Sequence, residues 1–265
     1  MDYYKLLGRK YLHDVVTIKF YNENHFKVTT FRTMRQKGIE DDNERKYTAK
    51  GEAGNTEKLS SSISRSRAKV FELADCNPWE LFVTFTLDKE KYDRHDLRKF
   101  NKDLGQFVRN YNRKYGLAIK YLLIPEQHQD GAWHMHGFLM GLPIEHLHAF
   151  TPSEHLPQKI RTRLFLGKQV YTWDAYARKF GFADIEVVEN HEAASKYITK
   201  YITEDMQRTV TELNAHTYYC SQGLATSMLV YMADMVRELE NPDYSNEYVS
   251  IRNFRTYEEA EAAVV

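Results

Sequence analysis

Apolar and polar residues alternate over residues 15–20 and 25–30, on either side of Asn22–Asn24. That period predicts an N-terminal β-hairpin. Residues 38–66 are polar, with Gly51, Gly54 and three serines at 60–62, and read as a loop leading into a helix near 65–74. The segment Leu81–Leu87 (LFVTFTL) is rich in aromatic and β-branched residues and reads as a strand. Over residues 93–115, Leu97, Phe100, Leu104, Phe107, Val108 and Tyr111 recur at helical spacing, with Gly116 as the stop signal. A strand follows at 118–124. Asp130-Gly131 then marks a tight turn, and the chain returns as a strand over Trp133–Met140. Further on, the pattern predicts a helix at 172–180, a strand at 183–188 and a helix at 192–205. Apolar residues cluster at 224–239, and residues 248–254 read as a last strand.

Two groups of residues carry candidate chemistry. The first is His134-Met135-His136. On a strand, residues i and i+2 share a face, so the two imidazoles can hold one divalent ion. The preceding strand ends in Pro125-Glu126-Gln127-His128, and a hairpin brings that end beside the histidines. Glu126 can then supply an oxygen ligand, with His128 and Gln127 as rival third ligands. Two imidazoles and a carboxylate suit Mg²⁺ or Mn²⁺ engaging a phosphate oxygen, and the set could also take Zn²⁺. The same His-x-His spacing recurs at His146-Leu147-His148, beyond Pro143 where the strand pattern has ended, and reads there as surface or helix.

The second group is Tyr197-Ile198-Thr199-Lys200-Tyr201. In a helix Tyr197 and Tyr201 stack one turn apart, with Lys200 beside them. A phenol is only about one part in a thousand ionised at pH 7, so a nucleophilic tyrosine needs a polarised phosphate, a nearby cation or a base. Lys200 can supply that cation. Tyr111 and Tyr115 repeat the spacing, but Tyr111 continues the apolar stripe of its helix and reads as structural.

Taken in chain order, these segments resemble the HUH endonucleases of rolling-circle replication, the Rep proteins of small phages and plasmids. Residues 82–86 resemble the family's first motif, Trp133-His134-Met135-His136-Gly137-Phe138-Leu139 its His-hydrophobe-His strand, and Tyr197 to Tyr201 its tyrosine helix. Cys76-Asn77-Pro78-Trp79 and residues 218–224 resemble flanking segments of phage-type members. The resemblance spans residues 68–224. It implies an α+β fold, a central antiparallel sheet with packed helices. It implies metal ligation by His134, His136 and a carboxylate such as Glu126, and Tyr197 as nucleophile with Lys200 as its partner. Some members carry a second tyrosine four residues on, where Tyr201 stands. The implied organisation is a hairpin, polar loop and helix start over 1–70, a catalytic core over 71–224, and an acidic extension over 225–265 packed on or flanking the core.

The implied activity is nicking and joining of single-stranded DNA through a 5′-phosphotyrosine intermediate, which initiates rolling-circle replication. A transposase or mobilisation relaxase would share this chemistry, and a non-catalytic DNA-binding initiation factor would share the fold. Other phosphate enzymes fit poorly. A histidine-triad hydrolase needs a third alternate histidine, where Phe138 stands. A two-histidine phosphoesterase needs a second His-x-Ser/Thr strand, and none occurs.

Composition narrows these readings. The 265 residues contain 37 basic and 37 acidic side chains, so DNA binding must rest on local charge. Residues 159–179 carry six basic residues against Asp174 alone, and residues 89–120 carry ten against four; Asp234 to Glu261 reverses the balance with eight acidic against three. Arg161, Arg163, Thr84 and Thr86 are the candidate DNA contacts. Two cysteines exclude a disulfide framework and a cysteine zinc cluster, and suit a reducing host cytoplasm. No apolar run reaches the roughly 20 residues of a membrane span. No phosphate-binding Gly-x-x-x-x-Gly-Lys-Ser/Thr occurs, so a separate helicase, with a polymerase, is the expected partner.

Overall fold

The structure, a computed structural model, describes residues 11–35, 56–202 and 216–265. The first strands are β1 (Tyr11–Asn22) and β2 (His25–Arg35), followed by helix α1 (Thr56–Asp75). Then come β3 (Leu81–Leu87), α2 (Leu97–Tyr115), β4 (Lys120–Gln127), β5 (Trp133–Met140), β6 (His148–Ala149) and α3 (Gln158–Phe165). The chain continues through β7 (Tyr171–Thr172), α4 (Asp174–Lys179), β8 (Gly181–Val187), α5 (His191–Ile198) and β9 (Tyr219–Cys220). It ends with β10 (Met228–Asp234), β11 (Tyr244–Ser245), β12 (Val249–Phe254) and α6 (Tyr257–Ala262). The fold is α+β with two antiparallel sheets. Contacts divide the chain into one unit of residues 1–47 and 225–265 and another of residues 48–224.

The first unit is a five-stranded sheet in the order β10-β1-β2-β12-β11. The N-terminal hairpin forms its centre, with Val16 opposite Thr30 and Ile18 opposite Val28. Strand β10 pairs along β1, and β12 pairs along β2. Val16, Ile18 and Val28 pack with Leu239, Ala260 and Val264, so the carboxyl-terminal helix closes this small core.

The second unit is a seven-stranded sheet in the order β6-β7-β8-β3-β5-β4-β9. Strand β3 lies near its middle and alternates strictly: Leu81, Val83, Phe85 and Leu87 are buried, while Phe82, Thr84 and Thr86 are half-buried on the other face. Helices α2 and α4 cover the first face. Phe85 stacks on Tyr176 at 4.3 Å between ring centroids, and Phe107 of α2 meets Trp173 at 4.9 Å. Helix α1 covers part of the second face. Trp79, just after α1, hydrogen-bonds Leu73 O and stacks on Phe138 at 5.6 Å.

Local chemistry sets the element ends. The loop expected over 38–66 lies outside the described residues as far as 55, and from Thr56 the chain is already helix α1. Helix α2 begins at Leu97, later than the expected 93, because Asp96 caps it by accepting from Lys99 N at 2.9 Å. It ends at Gly116, whose φ of 67° closes the helix in the left-handed region. Strand β4 runs past its expected end at 124 and through Pro125. Strand β9 covers only Leu122 and Leu123 of β4, so beyond them the β9 side of β4 is open and a missing N–H costs nothing. Gly137 is required where β5 meets β4: a Cβ there would lie 1.9 Å from Leu122 O. The helix expected over 192–205 is α-helical to Ile198 and then tightens into a 3₁₀ turn over Thr199–Tyr201; residues 203–205 lie outside the described residues.

Candidate active site

The second face of the seven-stranded sheet carries the candidate residues in register. Strand β5 places His134 opposite Glu126 of β4 and opposite Thr86 of β3. In the next row His136 lies opposite Ile124, and opposite Thr84, which itself faces Asp184 of β8. In the third row Phe138 lies opposite Leu122, and opposite Phe82, which faces Glu186. The Asp130-Gly131 turn between β4 and β5 is closed by His128 N donating to Ala132 O at 2.9 Å. It is this hairpin that carries Glu126 over the histidines.

Ligand atoms of Glu126, His134 and His136 all lie within 4.8 Å of one another. Glu126 Oε2 is 2.7 Å from His136 Nε2 and 3.6 Å from His134 Nε2. His134 and His136 are 5% and 8% exposed. His136 Nε2 and His134 Nδ1 are buried without an aligned hydrogen-bond partner, the condition of a nitrogen whose lone pair is reserved for something else. Of the alternatives for the third ligand, Gln127 donates to Gly131 O within the turn, and the ring of His128 packs edge-on against His134 at 3.7 Å. The cluster can therefore hold a metal ion through Glu126, His134 and His136. Burial, followed by the charges of neighbouring groups, lowers the pKa of each of the two histidines to about 4, so both are neutral and able to ligate at pH 7. The hydroxyl of Thr84 shares a hydrogen bond of 3.0 Å with His136 Nδ1.

Helix α5 and its 3₁₀ extension bring the tyrosines to this face. Asn190 caps α5 by accepting from Ala193 N, and Arg67 of α1 donates to Ile202 O at 2.7 Å, pinning the far end. Tyr197 meets Phe82 edge-to-face at 5.7 Å. Tyr201 lies flat on His136, with centroids 4.2 Å apart and planes 11° from parallel. The two phenol oxygens are 3.0 Å apart. Lys200 Nζ sits 3.3 Å from the Tyr197 ring centroid.

The two phenols differ electrostatically. Partial burial pushes Tyr197 upward, but hydrogen bonds from Lys200 and Tyr201, with the charges of Lys200 and Lys159, outweigh it, and its pKa falls below the ordinary tyrosine value. Tyr201 moves the other way, raised first by burial and then by Tyr197 and Glu126. Tyr197 is also the more exposed ring, at 44%.

The remaining candidates are more scattered. Thr86 stands at the His134 end of β3 and is half-buried. Arg161 is exposed on α3 and lines an open depression of about 440 Å³ with Pro152, Gln158, Thr162 and Phe165. The guanidinium of Arg163 is held in ion pairs by Asp184 and Glu186. Those two acids were not among the sequence candidates. Their alternation with Ala183 and Ile185 on β8 is the signal that places them on the site's face. The basic stretch of α2 lies on the opposite face of the sheet. The two look-alike motifs meet each other instead of the site: Tyr111 Oη hydrogen-bonds His146 Nδ1 at 2.8 Å, and Tyr115 packs on the same imidazole at 5.0 Å.

No helix among the described residues is long and apolar enough to cross a membrane. No curated protein and no solved structure matches the chain. Residues 80–206 match the family model of the replication-associated proteins of ORF2 type. The matched stretch opens at the start of β3 and runs past Tyr201, so it contains every residue of the site, and it places this chain with the rolling-circle replication initiators.

Proposed function

We propose that this initiator nicks and rejoins single-stranded DNA at its origin, with Tyr197 as nucleophile and Glu126, His134 and His136 as metal ligands. The observation that carries the reading is the contact between the two motifs: Tyr201 lies on His136 while its hydroxyl touches that of Tyr197. A lysine-flanked phenol thus stands beside a buried two-imidazole, one-carboxylate cluster, and no packing requirement explains that pairing.

The donor set fits Mg²⁺ or Mn²⁺. Such an ion, when bound, would offset negative charge on the non-bridging oxygens of a phosphodiester. With Nδ1–H of His136 donating to Thr84, Nε2 keeps its lone pair for the ion, and the threonine acts on the ligand set and not on DNA. Tyr197 Oη attacks phosphorus, forming the O–P bond of a 5′-phosphotyrosine. The P–O3′ bond breaks, the phenol proton leaves to solvent, and the departing oxygen takes a proton to become a free 3′-hydroxyl. Lys200 favours the developing phenolate. Attack by a 3′-hydroxyl on the phosphotyrosine rejoins the strand without a nucleotide triphosphate, because the phosphodiester bond energy is conserved. The free 3′ end primes a separate polymerase, and a separate helicase opens the duplex.

Incubation with single-stranded origin DNA and Mn²⁺, followed by a denaturing gel, tests the reading. A slower, metal-dependent protein band lost in Tyr197→Phe supports it. A band lost only in Tyr201→Phe replaces the nucleophile. Tight binding without any band on native-origin DNA removes the catalytic reading and leaves a DNA-binding initiation factor.

A further inference from the structure

Helix α3 is fastened to the site's face of the sheet at one point. Asp184 and Glu186 stand on that face, opposite Thr84 and Phe82. Left alone, two carboxylates beside a phosphate-handling site would repel DNA. Arg163 pairs with both, through one guanidinium nitrogen each, and the three side chains are 12–28% exposed. Lys168 adds a longer contact to Glu186 at 4.0 Å. A guanidinium fork held by two acids is fixed in direction as well as position. Its five donors are drawn into the protein, which leaves it poorly placed to take a phosphate.

One turn earlier on the same side of α3 stands Lys159. It is exposed, and its ammonium makes no hydrogen bond or ion pair among the described residues. Its charge nevertheless reaches both halves of the site: it lowers the pKa of His136, after burial, and that of Tyr197, after Lys200 and Tyr201. An unpaired cation felt by a metal-side imidazole and by the phenol together stands across the face from the Glu126 cluster, over the row that holds Thr84 and Asp184.

We propose that Lys159 binds a DNA phosphate at the nicking site, from the β8 side, and that Arg163 is the positioning residue that aims α3 so that it can. The proposal rests on the nicking reading for the identity of the strand bound, and assigns Lys159 a role that neither motif contains. A metal cluster on one flank and a lysine on the other would hold the phosphate between them in front of Tyr197.

The test is binding without turnover. Tyr197→Phe protein, with metal chelated, is titrated with single-stranded oligonucleotide across a salt series, read by fluorescence anisotropy. Removing one lysine–phosphate pairing should reduce the slope of log K against log salt by about 0.7. Lys159→Ala is expected to show that reduction and Lys159→Arg to restore the slope. In an Arg163→Gln background, Lys159→Ala is expected to change the slope by much less, because the lysine is no longer aimed. Should Arg163→Gln not fold, Arg163→Lys keeps the charge and removes the fork. An unchanged slope in Lys159→Ala overturns the proposal. Separate and additive reductions for Lys159→Ala and Arg163→Gln overturn the positioning role and make Arg163 a DNA contact. Failure of the nicking reading shows elsewhere, as the absence of a covalent band in the wild type.

Discussion

The imidazole of His136 and the phenol ring of Tyr201 lie face to face at 4.2 Å, within 11° of parallel. Tyr201 therefore has a role that needs its ring and not its hydroxyl: it closes one side of the ligand cluster. Tyr201→Phe is expected to keep Mn²⁺ affinity and the Tyr197-dependent covalent band. Tyr201→Ala frees the imidazole and is expected to weaken metal binding about tenfold or more, on the scale of other outer-shell losses. Titration calorimetry with Mn²⁺ on both variants checks this; equal loss in the two would assign the effect to the hydroxyl.

Thr84 holds the other edge of the same imidazole through its 3.0 Å contact with Nδ1. Thr84→Val preserves shape and removes the partner. Metal affinity is expected to fall about 10–100-fold. Metal-free binding to single-stranded DNA should change little. A variant that lost DNA affinity while keeping metal affinity would return Thr84 to the set of DNA contacts.

Gly137→Ala forces a methyl to within 1.9 Å of Leu122 O, a backbone atom in a buried ladder. Strands β4 and β5 would have to part where they hold Glu126 against the histidines. Destabilisation of about 3 kcal/mol is expected, toward the upper end for overpacking, and is read from urea midpoints. Soluble protein of unchanged midpoint would show that the strands separate freely there.

The metal-free protein should lose stability in mildly acid solution. Burial holds both site histidines at about 4, whereas in the unfolded chain they titrate near 6.5. Between those values the unfolded state binds more protons, so their contribution is complete above about 6.5 and is lost as pH falls toward 4. Urea midpoints in chelator at pH 8, 7, 6 and 5 should be level at first and then decline. A His134→Asn/His136→Asn variant should decline less over pH 6.5 to 5, and an identical decline would place the effect on other groups.

The site was legible because its motifs are local. His134 and His136 share a strand face by period alone, and Asp130-Gly131 announces the turn that returns Glu126 to them. The spacing of Tyr197 and Tyr201 survives the change from α-helix to 3₁₀ turn, since their hydroxyls still meet. The ion pairs of Arg163 were not legible. Their partners lie some twenty residues on, across a strand pairing that no pattern encodes, and a basic run looks the same whether it faces DNA or carboxylates. The reach of β4 through Pro125 was hidden for a similar reason: a proline ends a strand or not according to what lies beside it, and β9 is set by residues a hundred positions away. The pairing of β10 with β1 and of β12 with β2 joins segments from opposite ends of the sequence, each legible only as a strand.

That last pairing fixes an order of events during synthesis. Strands β1 and β2 emerge early, yet the partners for both their outer edges, β10 and β12, are made only after the whole seven-stranded unit. The hairpin must wait on the ribosome with two open edges, the arrangement most prone to pair with a neighbouring chain. Two ribosomes on one message could exchange these late strands, so slow translation across residues 48–224 would favour swapped dimers, and a message broken before residue 228 would yield a chain able to seed aggregation while carrying the complete cluster of histidines and tyrosines.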